Sequence, residues 1–139
     1  MKITFLGAAK TVTGSNFLVT LEDGTKFIVD CGMYQGRSDL EEKNYDEFMF
    51  DVKDIDFMLL THAHIDHSGR IPKLYKEGYR NPIYAQKATC DLCTIMLPDS
   101  RAYTRDGNWM EEQKKKKKRI RSNRANVYSR RGYAVFRNI

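Results

Sequence analysis

Residues 56–67 read Asp56-Phe57-Met58-Leu59-Leu60-Thr61-His62-Ala63-His64-Ile65-Asp66-His67. The first half of this stretch is an apolar run of strand length, which predicts a buried β-strand. The second half places four side chains that can bind metal within six residues, and all three histidines of the chain lie there. Alternate residues of an extended backbone point the same way, so His62 and His64 can face one ion. Asp66 and His67 follow where the chain turns, and they can face a second ion.

Imidazole and carboxylate ligands together suit Zn²⁺ and related divalent ions. The alternative is an ordinary loop that carries surface histidines. The position of the cluster directly after a predicted buried strand favours the metal site over that alternative.

The segments on either side of the cluster predict short strands and helices. β-prone runs and a polar loop lie before the cluster. A helix, a strand and a second helix lie after it, and the first of these helices has Pro72 in its first turn and Gly78 at its end. Asp23-Gly24 is a strong hairpin signal between two of the strands. The predicted strands cover residues 2–7, 16–21, 26–30, 56–61 and 82–85, the loop 33–50, and the helices 70–77 and 88–97. Strands followed by alternating strands and helices predict an α/β layered fold.

The charge of the chain is divided unevenly about Ser100. The 139 residues carry a net charge of +6, but residues 1–99 hold 11 basic and 15 acidic residues, whereas residues 100–139 hold 13 and 3. The second part includes the run Lys114 to Lys118 and shows no apolar periodicity. We therefore predict one partial domain over residues 1–100 and a disordered basic tail over residues 101–139. Such a tail can also bind phosphates without sequence preference.

Several classes of protein are excluded for the chain as written. No apolar run approaches the roughly 20 residues of a membrane span, and the N-terminus lacks a secretory pattern. Three cysteines without such a leader do not form a disulfide framework, which predicts a location in the reducing cytoplasm. The pair Cys90 and Cys93 has no second pair and is interpreted as buried packing on one helix face.

The stretch from His62 to Arg70 resembles the HxHxDH signature of metallo-β-lactamase-fold hydrolases. Three further segments resemble the β-CASP branch of these enzymes, whose members cut RNA or, less often, DNA: Phe5-Leu6-Gly7-Ala8-Ala9, Val12-Thr13-Gly14-Ser15, and Val29-Asp30-Cys31-Gly32 with Gln35-Gly36. The resemblance covers residues 1–100. It implies the N-terminal half of an αββα sandwich, with a mixed sheet and helices.

The resemblance also implies roles for individual residues. His62 and His64 would bind one zinc ion, Asp66 and His67 a second, with manganese as a possible substitute, and Asp30 would orient the metal-binding loop. Two metal ions would clamp a phosphodiester and activate a water, and Asp66 would be the catalytic proton acceptor. The full-length parent is thus expected to be a zinc-dependent ribonuclease that acts on single-stranded RNA. The oligomeric state is not predicted.

The chain departs from this family because no histidine follows His67. The family's site needs further ligands from later motifs, so the chain is expected to be an incomplete, inactive fragment. If the gene is read one nucleotide later, the codons of Trp109-Met110 and of the lysine run must encode Gly-Trp followed by a basic run. That string resembles the family's continuation after Ser100. Residues 101–139 are therefore interpreted as out of frame, after a one-nucleotide insertion near codons 100–101.

Two rival functions stay open from the sequence. The same fold can hydrolyse a small ester or thioester, because the HxHxDH motif does not fix the substrate. A non-enzymatic, basic RNA-binding module is the other rival, and a steep salt dependence lost on deleting residues 101–139 would distinguish it.

Overall fold

A computed structural model describes residues 1–100 and 133–136 of the chain, with side chains as far as Leu97. The strands are β1 Lys2–Phe5, β2 Phe17–Thr20, β3 Lys26–Val29, β4 Phe57–Leu59, β5 Ile83–Gln86 and β6 Tyr133–Phe136. The α-helices are α1 Ser38–Glu41, α2 Ile65–Ser68, α3 Ile71–Lys76 and α4 Lys87–Ser100, and the 3₁₀ turns are Glu42–Asn44 and Val52–Asp54. The five strands and two helices predicted within residues 1–100 are all present.

One mixed sheet with the order β1-β2-β3-β4-β5-β6 organises the fold. β1, β2 and β3 pair antiparallel, β3, β4 and β5 pair parallel, and β6 pairs antiparallel with β5. The predicted hairpin between β2 and β3 is confirmed, since Gly24 has φ +90° and Thr25 N donates to Asp23 Oδ1 at 2.9 Å. The predicted α/β fold with a mixed sheet and helices is therefore confirmed, and it corresponds to one αβ layer of the expected sandwich.

The core lies on the face of the sheet that the helices cover. Ile28, Met58 and Ile83 are side by side in the register of β3, β4 and β5, and none of the three is exposed. Leu74 of α3 and Cys93 of α4 pack in the same buried cluster. These contacts fix the helices that follow β4 and β5, and they hold the loop after β4 at the carboxyl end of that strand.

The opposite face of the sheet is apolar and only partly covered by the described part of the chain. Phe27 and Phe57 stack there with ring centroids 4.7 Å apart. Ile3 is 50% exposed and Phe5 66% exposed at the β1 edge, and Tyr84 is 37% exposed on β5. This set of side chains is called the open face below.

Three local differences from the predictions have physical reasons. The segment 33–50, predicted as loop, contains α1 and one 3₁₀ turn, because the carbonyl of Arg37 accepts from Leu40 N and Glu41 N. α2 begins at Ile65, before the predicted helix, since His64 O accepts from both His67 N and Ser68 N. α4 reaches Ser100, past Pro98, since the fixed φ of proline is itself helical and only two residues follow it in the helix.

The predicted disordered tail covers residues 101–139. Of these the structure describes only β6, Tyr133–Phe136, and the rest of that prediction lies outside the described residues. In the ranges 1–100 and 133–136, no helix combines the length and apolar character needed to cross a membrane.

Candidate metal centre

The candidate centre lies at the carboxyl end of the two neighbouring parallel strands β3 and β4. Asp30 directly follows β3, and Thr61 lies two residues beyond β4. The two strand ends are joined because Asp30 N donates to Leu59 O and Thr61 N donates to Asp30 Oδ1, both at 2.9 Å. The carboxyl ends of adjacent parallel strands are where α/β folds usually place their binding residues.

Asp30 is the centre of a buried hydrogen-bond network. Its side chain is almost fully buried, and its carboxylate accepts from Ser15 Oγ at 3.1 Å, from Thr61 N and Oγ1, and from His67 Nδ1 at 2.7 Å. Its own backbone has φ +60°, a left-handed conformation that aspartate tolerates better than most residues. Asn16 Nδ2 supports that conformation by donating to Asp30 O at 3.0 Å. The arrangement matches an orienting role for Asp30 rather than a direct role as ligand.

Hydrogen bonding to Thr61 and Asp30 also sets which ring nitrogens are free. An ionised carboxylate only accepts, so the Thr61 hydroxyl donates to Asp30 and accepts from Nδ1–H of His62, 3.0 Å away. His67 likewise donates its Nδ1–H to Asp30. This assignment leaves Nε2 of both His62 and His67 with a lone pair available for a metal ion.

The three histidine rings lie together above this network. The ring centroid of His62 is 4.6 Å from that of His64 and 4.0 Å from that of His67. Asp66 joins them through Oδ2, which is 3.5 Å from His67 Nε2. Burial, and then the nearby His67 and His64, lower the pKa of His62 below its usual value, which favours the neutral imidazole that binds metal.

The donor set fits a divalent ion, but the geometry is open. Within the described ranges, no three histidine, cysteine, aspartate or glutamate side chains come together in the arrangement of a metal site. The structure does bring together every site residue predicted from the sequence: His62, His64, Asp66, His67 and Asp30. Their assignment to particular metal ions stays a prediction.

The backbone around Gly32 fixes the segment 61–67, which carries the predicted ligands, onto the sheet. Gly32 N donates to Ser15 O at 2.8 Å, and Ser15 N donates to Asp66 O at 2.9 Å. A Cβ atom on Gly32 would lie 1.6 Å from Asp66 O and 2.7 Å from Ser15 N, so only glycine allows this approach. Cys31 N adds a bond to His67 O at 2.8 Å. The loop after β3 thereby fixes the backbone of the two predicted ligands Asp66 and His67.

Two functional partners were not predicted from the sequence. Thr61 directly precedes His62, and its hydroxyl next to a predicted ligand was the one sequence feature that could have indicated a supporting role. Asn16 gave no signal, because its bond to Asp30 depends on the pairing of β2 with β3. Ser15 ends the stretch Val12-Thr13-Gly14-Ser15 that resembles the β-CASP branch, and its bond to Asp30 places this stretch beside the candidate centre.

The cysteines are part of the packing rather than of the site. Cys90 and Cys93 are buried and unlinked, as predicted, and burial raises the pKa of each thiol to about 11. Cys31 is also free, and burial raises its pKa to about 12. All three thiols therefore stay protonated at neutral pH and are poor metal ligands and nucleophiles.

Comparisons with known proteins agree with this architecture. The sequence profile of the metallo-beta-lactamase superfamily matches residues 10–129. "Ribonuclease TTHA0252" of Thermus thermophilus is 51% identical over 100 residues, which cover 72% of this chain and 22% of that protein. "Transcription termination factor FttA" of Methanocaldococcus jannaschii is 36% identical over 99 residues, covering 71% of this chain and 16% of that protein.

A eukaryotic protein is also similar. "Integrator complex subunit 11" of Danio rerio is 33% identical over 113 residues, covering 76% of this chain and 18% of that protein. The chain thus spans about a fifth of the length of the curated relatives that it matches.

Proposed function

Because this chain belongs to the metallo-beta-lactamase superfamily, we propose that it carries the first part of the metal site of a zinc-dependent ribonuclease. The observation that carries the proposal is the cluster of three imidazoles and one carboxylate, held on Asp30 at the carboxyl ends of β3 and β4. The name of one relative, "Ribonuclease TTHA0252", supports RNA as the substrate class.

The proposed roles are those that the family resemblance implies. His62 and His64 hold one ion, and Asp66 and His67 hold the second. Bound zinc, or manganese in its place, would lower the pKa of a water and offset the charge that develops on the phosphodiester. Asp66 accepts the proton of the attacking water, because its carboxylate lies at the cluster and is half-buried. Thr61 is bonded to Nδ1 of His62, and Asp30 is bonded to Nδ1 of His67. The Nε2 atom of each ring is therefore left to bind a metal ion.

We further propose that the functional enzyme is longer than this chain. All three histidines lie in one motif, and the remaining ligands of the family's site would have to come from later sequence. The division into a partial domain, residues 1–100, and an out-of-frame tail, residues 101–139, is part of this proposal. Deleting one base near codon 101 of the gene should then open a frame that encodes a later histidine-bearing motif. A stop codon soon afterwards in every frame would contradict it.

The proposed substrate is single-stranded RNA, and the proposed location is the cytoplasm. Three buried, unlinked cysteines support a reducing compartment. They would be an unusual feature in an oxidising one.

The decisive experiment compares two proteins on a labelled single-stranded RNA with added Zn²⁺ or Mn²⁺. The frame-restored protein should cleave the RNA, and His64→Ala should abolish that cleavage while an exposed control, Lys53→Ala, should not. The 139-residue chain should show no cleavage that depends on His64, since two ligands per ion fall short of the three that catalytic zinc usually has. Hydrolysis of a thioester but not of RNA by the restored protein would instead favour the small-substrate rival.

A further inference from the structure

A cavity in the described part of the chain is lined by none of the predicted metal ligands. It has a volume of about 360 Å³ and lies between the end of β1, the loop that follows it, and the segment 43–50. This volume is within the range of small-molecule sites in proteins. Aromatic rings form much of its wall: Phe5, Tyr34, Phe48 and Phe50.

Arg70 supplies the cavity with hydrogen-bond donors. Arg70 is 7% exposed, and its guanidinium carbon is 5.2 Å from the ring centroids of both Tyr34 and Phe48. Among the described residues, its side chain makes one hydrogen bond, from Nε to Gly32 O at 2.7 Å. A guanidinium has five N–H donors, so four of them, on the two terminal nitrogens, are not used by that bond.

Asn16 belongs to the same wall and ties it to Asp30. Asn16 is fully buried and lines the cavity, and its Nδ2 is used by Asp30 O. Its Oδ1 is the buried side-chain polar atom that has no hydrogen-bond partner in the part of the chain that the structure describes. This oxygen has almost no accessible surface, so a ligand in the cavity does not reach it, and Asn16 acts as a fixed part of the wall.

The charges of the wall indicate a neutral ligand rather than a phosphate. Arg70 and Lys43 are balanced by the carboxylates of Asp46 and Glu47, which line the same cavity. Carboxylates at the wall oppose a phosphate group by like-charge repulsion. They do not oppose a planar, uncharged ring that stacks on aromatic faces.

We propose that this cavity binds a nucleobase of the single-stranded RNA substrate, an inference that rests on the proposed function. A nucleobase presents carbonyl or ring-nitrogen acceptors to the guanidinium and flat faces to the aromatic rings. Base stacking on aromatic side chains is a common way in which proteins hold single-stranded RNA.

The wall of the cavity is continuous with the network of the metal centre. Asn16 O accepts from Leu6 N and Gly7 N, while the neighbouring residue Ser15 contacts both Asp30 and the backbone of Asp66. A base bound in the cavity would therefore be held by the same short segment that fixes the metal-binding loop. The cavity is therefore proposed as a subsite for one base of an RNA that is bound at the metal centre.

The test measures base binding without metal and without cleavage. The 139-residue chain is titrated with uridine 5′-monophosphate and with ribose 5-phosphate, which match in phosphate and differ in the base. We expect uridine 5′-monophosphate to bind about tenfold more tightly, in line with the usual gain from stacking one base. The result should not depend strongly on salt, unlike binding by the basic tail.

Variants locate the binding. Phe48→Leu keeps an apolar side chain against the core but removes the ring, and it should weaken binding of uridine 5′-monophosphate about tenfold. Met49→Ala serves as a second variant and should also weaken binding, because Met49 lines the cavity and its side chain is 83% exposed, outside the core. Leu92→Ala, exposed on α4 and outside the cavity, should leave the affinity unchanged.

Two results would overturn the proposal: equal affinities for the two phosphates, or unchanged affinity in both Phe48→Leu and Met49→Ala. Either result leaves the metal-dependent cleavage test untouched, so failure of the base subsite is distinct from failure of the proposed ribonuclease activity.

Discussion

At the scale of single residues, Thr61 determines how two predicted ligands are presented. Its hydroxyl is 2.9 Å and 3.0 Å from the two carboxylate oxygens of Asp30 and 3.0 Å from His62 Nδ1. One hydroxyl can donate to the carboxylate and accept from the imidazole at once, a pairing that valine cannot make.

We predict that Thr61→Val lowers zinc affinity by about 10- to 100-fold, the usual effect of losing a group that orients a ligand. Thr61→Ser keeps the hydroxyl and should restore most of the affinity. Competition with a chelator of known affinity measures both variants. Equal zinc binding by the valine and threonine forms would show that Thr61 has no positioning role.

Cys31 gives a second residue-scale prediction, concerning alkaline pH. Burial raises the pKa of this thiol from 9.0 to about 12, so the folded chain keeps a proton that the unfolded chain releases above pH 9. The unfolded state then binds fewer protons, and the free energy of unfolding falls as pH rises, by up to about 1.4 kcal/mol per pH unit from this group. Below pH 9 the effect vanishes.

Urea unfolding between pH 8 and pH 10 tests this expectation. Cys31→Ala should show a shallower decline over that interval than the parent chain, whatever its stability at pH 8. Cys90 and Cys93, whose pKa values are also raised, remain in both proteins and serve as the common background. The same slope in both proteins would mean that Cys31 does not titrate in this range on unfolding.

At the scale of elements, the close packing of the loop after β3 on α2 holds the site together. We predict that Gly32→Ala lowers the free energy of unfolding by about 3 kcal/mol, because its Cβ overlaps the Asp66 carbonyl. Gly24→Asn is the matched control: Gly24 has φ +90° but open space around it, and asparagine tolerates that backbone better than other side chains. Chemical denaturation measures both, and similar losses would argue against a specific clash at Gly32.

The elements also show what the sequence could predict. The strands and α3 follow from local features, such as the Asp23-Gly24 turn, Pro72 in the first turn of α3 and Gly78 with φ +110° after it. The ligand set was recognisable because its four members lie within six residues.

The family resemblance implied an orienting role for Asp30, but the hydrogen bonds of the network around it could not be predicted, for a physical reason. Asp30 and Thr61 are 31 residues apart, and Asp30 and His67 are 37 apart, so their bonds exist only after β3 and β4 have paired. The left-handed backbone of Asp30 is likewise supported by Asn16, which directly precedes β2. Local propensities contain no information about such contacts.

At the scale of the whole molecule, the open face of the sheet is the surface that favours self-association. Ile3 and Phe5 are exposed on β1, which is also an edge strand, and exposed apolar edges promote association. We predict that the 139-residue chain self-associates and binds a hydrophobic dye.

The double variant Ile3→Lys, Phe5→Lys should reduce both light scattering and dye fluorescence. Leu92→Lys changes an equally exposed leucine on α4, away from the open face, and should have a smaller effect. If both variants reduced association equally, general charge rather than the open face would be responsible.

The network around Asp30 has a consequence for the order in which the chain is made. Its partners Ser15, Asn16, Thr61 and His67 all precede residue 70, and so do the strands β1 to β4 that hold them in place. A nascent chain that has released this first segment from the ribosome already holds every group that orients the histidines. The groups that orient His62 and His67 are therefore made first, and the elements that pack against β4, namely α3, β5 and α4, follow later in the chain.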